Sequence, residues 1–176
     1  MTTKTTLIIA ACILLAMAGL AQAQTTTLSV VVGPEASLTV NTGTTSLSTA
    51  STAFADPYTG TTSLTYFIRT TKSTGTGTMS VKITADFSGS GGPSVTTPPT
   101  AGDLLTYNCT VAAPGTACTG PITALTSGTT SVATFAAGQN SAKAGNSASL
   151  AWSLTDDPVY ATGTYAATAT FTISAT

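Results

Sequence analysis

The sequence predicts an all-β fold, an antiparallel β-sandwich of about seven to nine strands. Apolar residues recur at every second position in several short segments, which is the pattern of strands with one buried face. Clusters of Gly, Pro, Asp and Asn separate these segments, as turns do. Thr and Ser supply 42 and 18 of the 176 residues, and the branched Cβ of threonine favours extended backbone.

Residues 1–23 lack the alternating pattern of the sandwich strands and are predicted to be a secretory signal peptide. Lys4 precedes an uncharged apolar run over Leu7–Leu20, and Ala-Gln-Ala at 21–23 supplies the small residues that signal peptidase requires. The run is shorter than the ~20 residues of a membrane span. We therefore expect a protein exported to the periplasm, cell surface or extracellular space, with residues 24–176 as a single domain and no further membrane span.

The alternating segments follow one another through the rest of the chain. Their apolar faces comprise Leu28/Val30/Val32, Leu38/Val40, Leu64/Tyr66/Ile68, Met79/Val81/Ile83, Leu105/Tyr107, Val132–Ala136, Leu150/Trp152/Leu154 and Phe171/Ile173. The stretch at about 88–102 is rich in Gly, Pro and Thr. We predict an exposed loop there, since neither flank has enough strands to close a sandwich alone.

The predicted domain keeps two cysteines, Cys109 and Cys118, with a Pro-Gly turn between them. In an exported protein such a pair most simply forms a disulfide. A metal or redox pair is disfavoured, because the chain has no histidine and the spacing is not Cys-x-x-Cys. Closing a loop of this size is worth about 2.7 kcal/mol in the chain-entropy model.

The composition excludes several classes of function. The absence of histidine excludes histidine-based triads and histidine metal sites, and five Lys+Arg residues are too few for a nucleic-acid surface. Asp156 and Asp157 are adjacent and precede a proline, as turn residues do, so they do not predict a glycosidase pair. Together with Asp56 they leave calcium binding open. We expect no enzyme, no cofactor, no other metal and no nucleic-acid partner.

Two tyrosines are candidates for a contact surface. Tyr58 and Tyr160 each follow an Asp-Pro turn, where side chains are commonly exposed. Tyrosine offers a flat apolar ring with a polar tip. They are the candidate residues of a surface for glycan or another extracellular ligand.

The last strand carries a family resemblance. Residues 163–174 read Gly-Thr-Tyr-Ala-Ala-Thr-Ala-Thr-Phe-Thr-Ile-Ser and resemble the closing strand of secreted bacterial pilin-like proteins of the spore-coat-U and fimbrial type. Thr25–Val32 resembles the N-terminal extension of such subunits. The resemblance implies an immunoglobulin-like or pilin-like sandwich, and a surface fibre whose subunits complete each other's sheets. The candidate donor-strand residues are Leu28, Val30 and Val32.

Two functions therefore stand as hypotheses. The first is a non-enzymatic structural or adhesive surface protein, including a pilus or fibre subunit built by β-strand addition, with itself or a cell-surface assembly as partner. The second is an extracellular binding module for glycan or another ligand. Under the first hypothesis Thr25–Val32 pairs with a neighbouring subunit, whereas the simpler alternative pairs it within its own sandwich.

Overall fold

The computed structural model describes residues 25–50 and 53–176. The chain divides into two units, 1–32 and 33–176, and every strand found in the described residues belongs to the second. The predicted signal peptide and its cleavage site lie outside the described residues. Within the described ranges no helix is both long and apolar enough to cross a membrane.

Nine strands form in the described residues, and all of their pairings are antiparallel. They are β1 Glu35–Val40, β2 Tyr58–Arg69, β3 Gly77–Ala85, β4 Leu105–Val111, β5 Thr116–Ala117, β6 Ile122–Thr123, β7 Thr130–Phe135, β8 Asn146–Leu154 and β9 Thr168–Ala175. The all-β prediction is confirmed for these residues, and the strand number agrees with the expected range.

The strands form two sheets around one apolar core, an arrangement compatible with a β-sandwich. The five-stranded sheet has the order β1-β2-β8-β4-β6, and the four-stranded sheet has the order β5-β7-β3-β9. The core combines alternate residues of both sheets, as the period of two predicts. Its members include Leu64, Tyr66, Ile68, Tyr107, Leu150 and Trp152 from the first sheet and Met79, Val81, Ile83, Val132 and Phe135 from the second.

Buried aromatic residues join the two sheets through their rings and their polar groups. The rings of Tyr66 on β2 and Phe135 on β7 lie 5.2 Å apart between centroids. The Tyr107 hydroxyl of β4 donates to the Ser131 carbonyl of β7 at 2.8 Å. Such bonds satisfy phenol groups that burial would otherwise leave unpaired. The two sheets are therefore held face to face by oriented contacts as well as by apolar burial.

The predicted Cys109–Cys118 disulfide is present. It links β4 of the first sheet to the residue after β5 of the second sheet, with 5.5 Å between the Cα atoms. The intervening loop turns through a cis Ala113–Pro114 bond. Because β5 and β6 have two residues each, the disulfide lies on the side of the body whose edge strands are shortest.

Two segments differ from the expectation. The alternating segment Thr25–Val32 is not a strand, and residues 25–34 have no regular secondary structure. A β-strand requires a neighbour for its backbone groups, so alternation alone does not form one. The loop expected to be exposed at about 88–102 is exposed only in part, because Gly92 and Pro93 are buried and the ring of Tyr165 covers Gly92.

A single carboxylate organises the β3–β4 loop. Asp86 Oδ1 accepts the backbone N–H of Val95 at 2.7 Å, and Oδ2 accepts the N–H of Thr96 at 3.0 Å and the Ser94 hydroxyl at 2.8 Å. These bonds favour the charged form, and together with the Phe87 N–H they outweigh the opposing effect of burial and lower the pKa of Asp86 to about 2. The long loop is thus tied back to the end of β3.

We predict that Asp86 makes the protein less stable in acid. Its folded pKa lies below the unfolded value of about 3.9, so its contribution is present above that value and is lost as the pH falls toward about 2. Asp86→Asn should lower the urea midpoint at pH 7 and flatten its decline between pH 4 and 2. Asp56→Asn at an exposed position is the matched control. Parallel acid profiles for Asp86→Asn and the wild-type chain would contradict this assignment.

We also predict that removing the disulfide destabilises the fold without abolishing it. The Cys109→Ser/Cys118→Ser double variant should lose up to about 2.7 kcal/mol of unfolding free energy, because the unfolded chain regains the entropy of an open loop. Urea denaturation measures the loss. The wild-type chain in excess reductant should show the same midpoint as the double variant, and an unchanged midpoint in both would show that the bond contributes nothing.

Candidate interaction surface

The side of the body opposite the disulfide has two long edge strands. These are β1, with six residues, in the five-stranded sheet and β9, with eight residues, in the four-stranded sheet. The two strands lie near each other without a hydrogen-bonded ladder joining them. We call this side, bordered by β1 and β9, the open side.

Inward-facing residues of the open side remain partly exposed. Phe171 and Ile173 on β9 and Leu38 on β1 pack against the core but are only partly buried. On β3, one strand further in, Met79 and Val81 are 0% and 1% exposed. The apolar core therefore reaches the surface at the open side instead of ending beneath a further strand.

The edge strand β9 lacks the features that usually discourage edge-to-edge pairing. Natural edges are commonly short, charged, interrupted by proline or covered. Thr168–Ala175 has neither charge nor proline, and among the described strands β9 pairs only with β3. Its outer face carries hydroxyls, of which Thr170 lies 2.9 Å from Thr84 Oγ1. This edge is able to accept a further strand.

The candidate donor-strand residues are largely exposed to solvent in the described chain. Leu28, Val30 and Val32 are 91%, 83% and 62% exposed, and Val31 between them is 97% exposed. Exposing these four aliphatic side chains to water is unfavourable, because burial of each one would contribute roughly 1.5–3 kcal/mol of stabilisation. An exposed apolar run of this kind marks an interaction segment or an aggregation hazard.

The two candidate contact tyrosines are less accessible than their turns suggested. Both are partly buried, and each hydroxyl lies near a carboxylate. Tyr160 donates to Asp103 Oδ2 at 3.1 Å, and Asp156 lies near Tyr58. Burial, followed by the nearby carboxylates, raises the pKa of both phenols. Their hydroxyl groups therefore interact with acidic residues of the same chain.

An acidic cluster contains Asp103, Asp156 and Asp157, all of which are buried. Asp103 and Asp157 lie close enough to influence each other's protonation. Burial, followed by the interaction with Asp157, raises the pKa of Asp103, whereas the interaction with Thr100 and the hydrogen bond from the Val159 N–H lower the pKa of Asp157. Of these two carboxyl groups, Asp103 is therefore the one that is protonated more readily.

The structure does not assemble the candidate calcium set of Asp56, Asp156 and Asp157 into a metal site. Asp56 is exposed, and the carboxylate near Asp157 is Asp103, which sequence reasoning did not associate with this set. Among the described residues no group of three or more acidic, histidine or cysteine side chains is arranged to hold a metal ion. Asp103 is remote from Asp157 in sequence, and its single turn position carried no signal that would have joined the two.

No protein-family model, curated protein or solved structure matches this chain.

We predict that Asp103→Asn stabilises the protein near neutral pH. The raised pKa of Asp103 means that its stability contribution is complete below the unfolded value and is lost as the pH rises through the folded value. An amide keeps a donor toward Asp157 and an acceptor toward Tyr160 but never becomes charged. The urea midpoint of the variant should exceed that of the wild-type chain at pH 7, and the gap should close toward pH 4.

Asp56→Asn again provides the control, because it removes one carboxyl at an exposed position. A loss of stability in Asp103→Asn at every pH from 4 to 8 would show that the charged form of Asp103 is the one that the fold prefers.

Proposed function

We propose that this chain is a non-enzymatic, exported structural or adhesive surface protein whose copies join by β-strand addition. The body is an immunoglobulin-like or pilin-like sandwich, and residues 25–32 of one copy lie along β9 of the next. The observation that carries the proposal is the open side: a long, uncharged edge strand bordering a partly exposed apolar core. Strand addition satisfies the backbone groups of that edge and buries the apolar residues beneath it.

The lengths and side-chain patterns of the two segments are compatible. β9 has eight residues, and Thr25–Val32 spans the same length. The row of Leu28, Val30 and Val32 has the period of two that places one face on an apolar layer. Its opposite positions are Thr25, Thr27, Ser29 and Val31, of which the three hydroxyl-bearing residues suit the hydroxyl-rich outer face of β9. A second copy of this chain is therefore the partner that the surface fits.

Export is supported by the disulfide and by the N-terminal signal pattern. Disulfides persist in oxidising compartments and are rare in the cytosol. The N-terminal segment has the charge, apolar run and small residues of a secretory signal. A chain with 6% charged residues also suits close packing of subunits, since few charges must be desolvated when copies meet.

A glycan-binding module centred on Tyr58 and Tyr160 has less support. Stacking on a sugar needs an exposed ring, and both tyrosines are partly buried. The Tyr160 hydroxyl already donates to Asp103, and Asp156 lies near Tyr58, so both hydroxyls are close to carboxylates of the same chain.

We predict that assembly depends on the apolar phase of residues 25–32. Chains that begin at Gln24 should form ladders or filaments in size exclusion and negative-stain microscopy, and chains truncated to begin at Gly33 should remain monomeric. Val30→Asp should abolish assembly because it places a charge in the apolar row. Ser29→Asp, one position along and on the opposite face, is the matched control and should assemble.

A peptide of residues 25–32 provides the complementary test. Added to the chain that begins at Gly33, it should bind and raise the Tm by mass action, whereas the peptide with Val30→Asp should not. A folded monomer from the Gln24 chain at every concentration, together with no peptide binding, would overturn the proposal. Unfolding of the Gly33 chain alone would instead assign residues 25–32 to their own body.

A further inference from the structure

The junction between Thr25–Val32 and β1 is held in place by one arginine. The chain passes from the segment to the strand through Gly33, Pro34 and Glu35. Arg69, at the end of β2, donates from Nε to the Gly33 carbonyl at 2.6 Å and from Nη2 to Glu35 Oε2 at 2.9 Å. The same guanidinium group therefore contacts two of the three junction residues.

We propose that this junction prevents residues 25–32 from folding back as a β-hairpin onto β1 of their own chain. This inference rests on the proposed function for its consequence, which is that the segment stays available to a second copy. The two shortest loops that could form such a hairpin are each disfavoured at this junction.

A two-residue loop at Gly33 and Pro34 would place the apolar row of residues 25–32 on the exposed face of β1. It would place Val32 opposite Glu35, and directly opposed residues share one face of a sheet. Glu35 and the other residues of that face of β1 are exposed. The three resulting pairs would be Val32–Glu35, Val30–Ser37 and Leu28–Thr39.

The turn types of a two-residue loop are also disfavoured at this junction. Type I′ needs positive φ at both central residues, which the ring of Pro34 forbids. Type II′ needs positive φ at Gly33, and Gly33 does not adopt it. Neither of the preferred two-residue turns therefore forms at Gly33 and Pro34.

A three-residue loop over 33–35 corrects the face but conflicts with the backbone. It would place Val32 and the rest of the apolar row on the face of Ala36 and Leu38, which packs against the core. The usual geometry is a type I turn followed by a left-handed residue. Pro34 disfavours the helical conformation at Gly33, and the left-handed position falls on Glu35, a residue with a Cβ.

This second loop would also break contacts that the structure makes. Glu35 is paired with Arg69 in the β1–β2 ladder, and the two side chains form an ion pair. Moving Glu35 into the loop removes both. The hairpin is thus opposed by register in one case and by backbone conformation and the Arg69 contacts in the other.

The test is a chain in which the hairpin is made permissible. Pro34→Asn/Glu35→Gly produces a loop that accepts both the helical and the left-handed conformation, and both positions are exposed, so the body should fold. In monomers of the chain that begins at Gln24, hydrogen exchange followed by mass spectrometry should show the amides of 28–32 at least ~10-fold slower in this variant than in the wild-type chain. Adding Val30→Asp to the variant should return the exchange to the wild-type rate.

The outcomes separate this inference from the proposed function. Slower exchange in the variant supports the inference, even where the wild-type chain does not assemble and the proposed function fails. Assembly of the wild-type chain, with no slower exchange in the variant, keeps the proposed function and overturns the inference. Wild-type monomers whose residues 28–32 are already protected would also overturn it, since the hairpin would then form despite the junction.

Discussion

The surface of this protein depends on one constraint, which is that an edge strand leaves a row of its backbone N–H and C=O groups unpaired. Two sheets around one core leave four edges, and the chain treats each differently. β5 and β6 are reduced to two residues beside the disulfide, and β1 begins with a charged residue bound to Arg69. β9 alone is long, uncharged and paired on one side within the described strands. The apolar residues Phe171 and Ile173 on its inner face are accordingly only partly buried.

Polar order in the body comes from a few carboxylates rather than from many ion pairs. The ion pair Arg69–Glu35 stands at the junction before β1, whereas Asp86 binds three backbone N–H groups and a hydroxyl around the β3–β4 loop. Hydrogen bonds to a charged acceptor are stronger than neutral ones. Hydroxyl pairs such as Thr84–Thr170 cover the outer face of the sheet without charge. Hydroxyl groups keep this surface hydrated, and under the proposed function their desolvation costs less free energy than that of charged groups when another copy packs against it.

Sequence reasoning predicted the parts of the fold that depend on local pattern. The alternation around Tyr66, Met79 and Trp152 reports a buried face directly, and all three residues are in the core. The order of strands could not be predicted, because β8 lies between β2 and β4 through contacts remote in sequence. The same limit hid the meeting of Asp103 with Asp157, since each looks like a turn residue on its own.

Thr25–Val32 shows what an alternating pattern does and does not specify. The period of two indicates that one face of a strand is buried, but it does not indicate which sheet buries that face. For the strands of the body, the sheet that buries the apolar face belongs to the same chain, so the pattern and the structure agree. Here the pattern is present and the strand is absent, while β9 has the same length and one edge that no other described strand pairs with. Under the proposed function, the apolar row of one copy lies beside the β9 edge of another, so that the apolar side chains and the edge backbone groups gain partners in the same step.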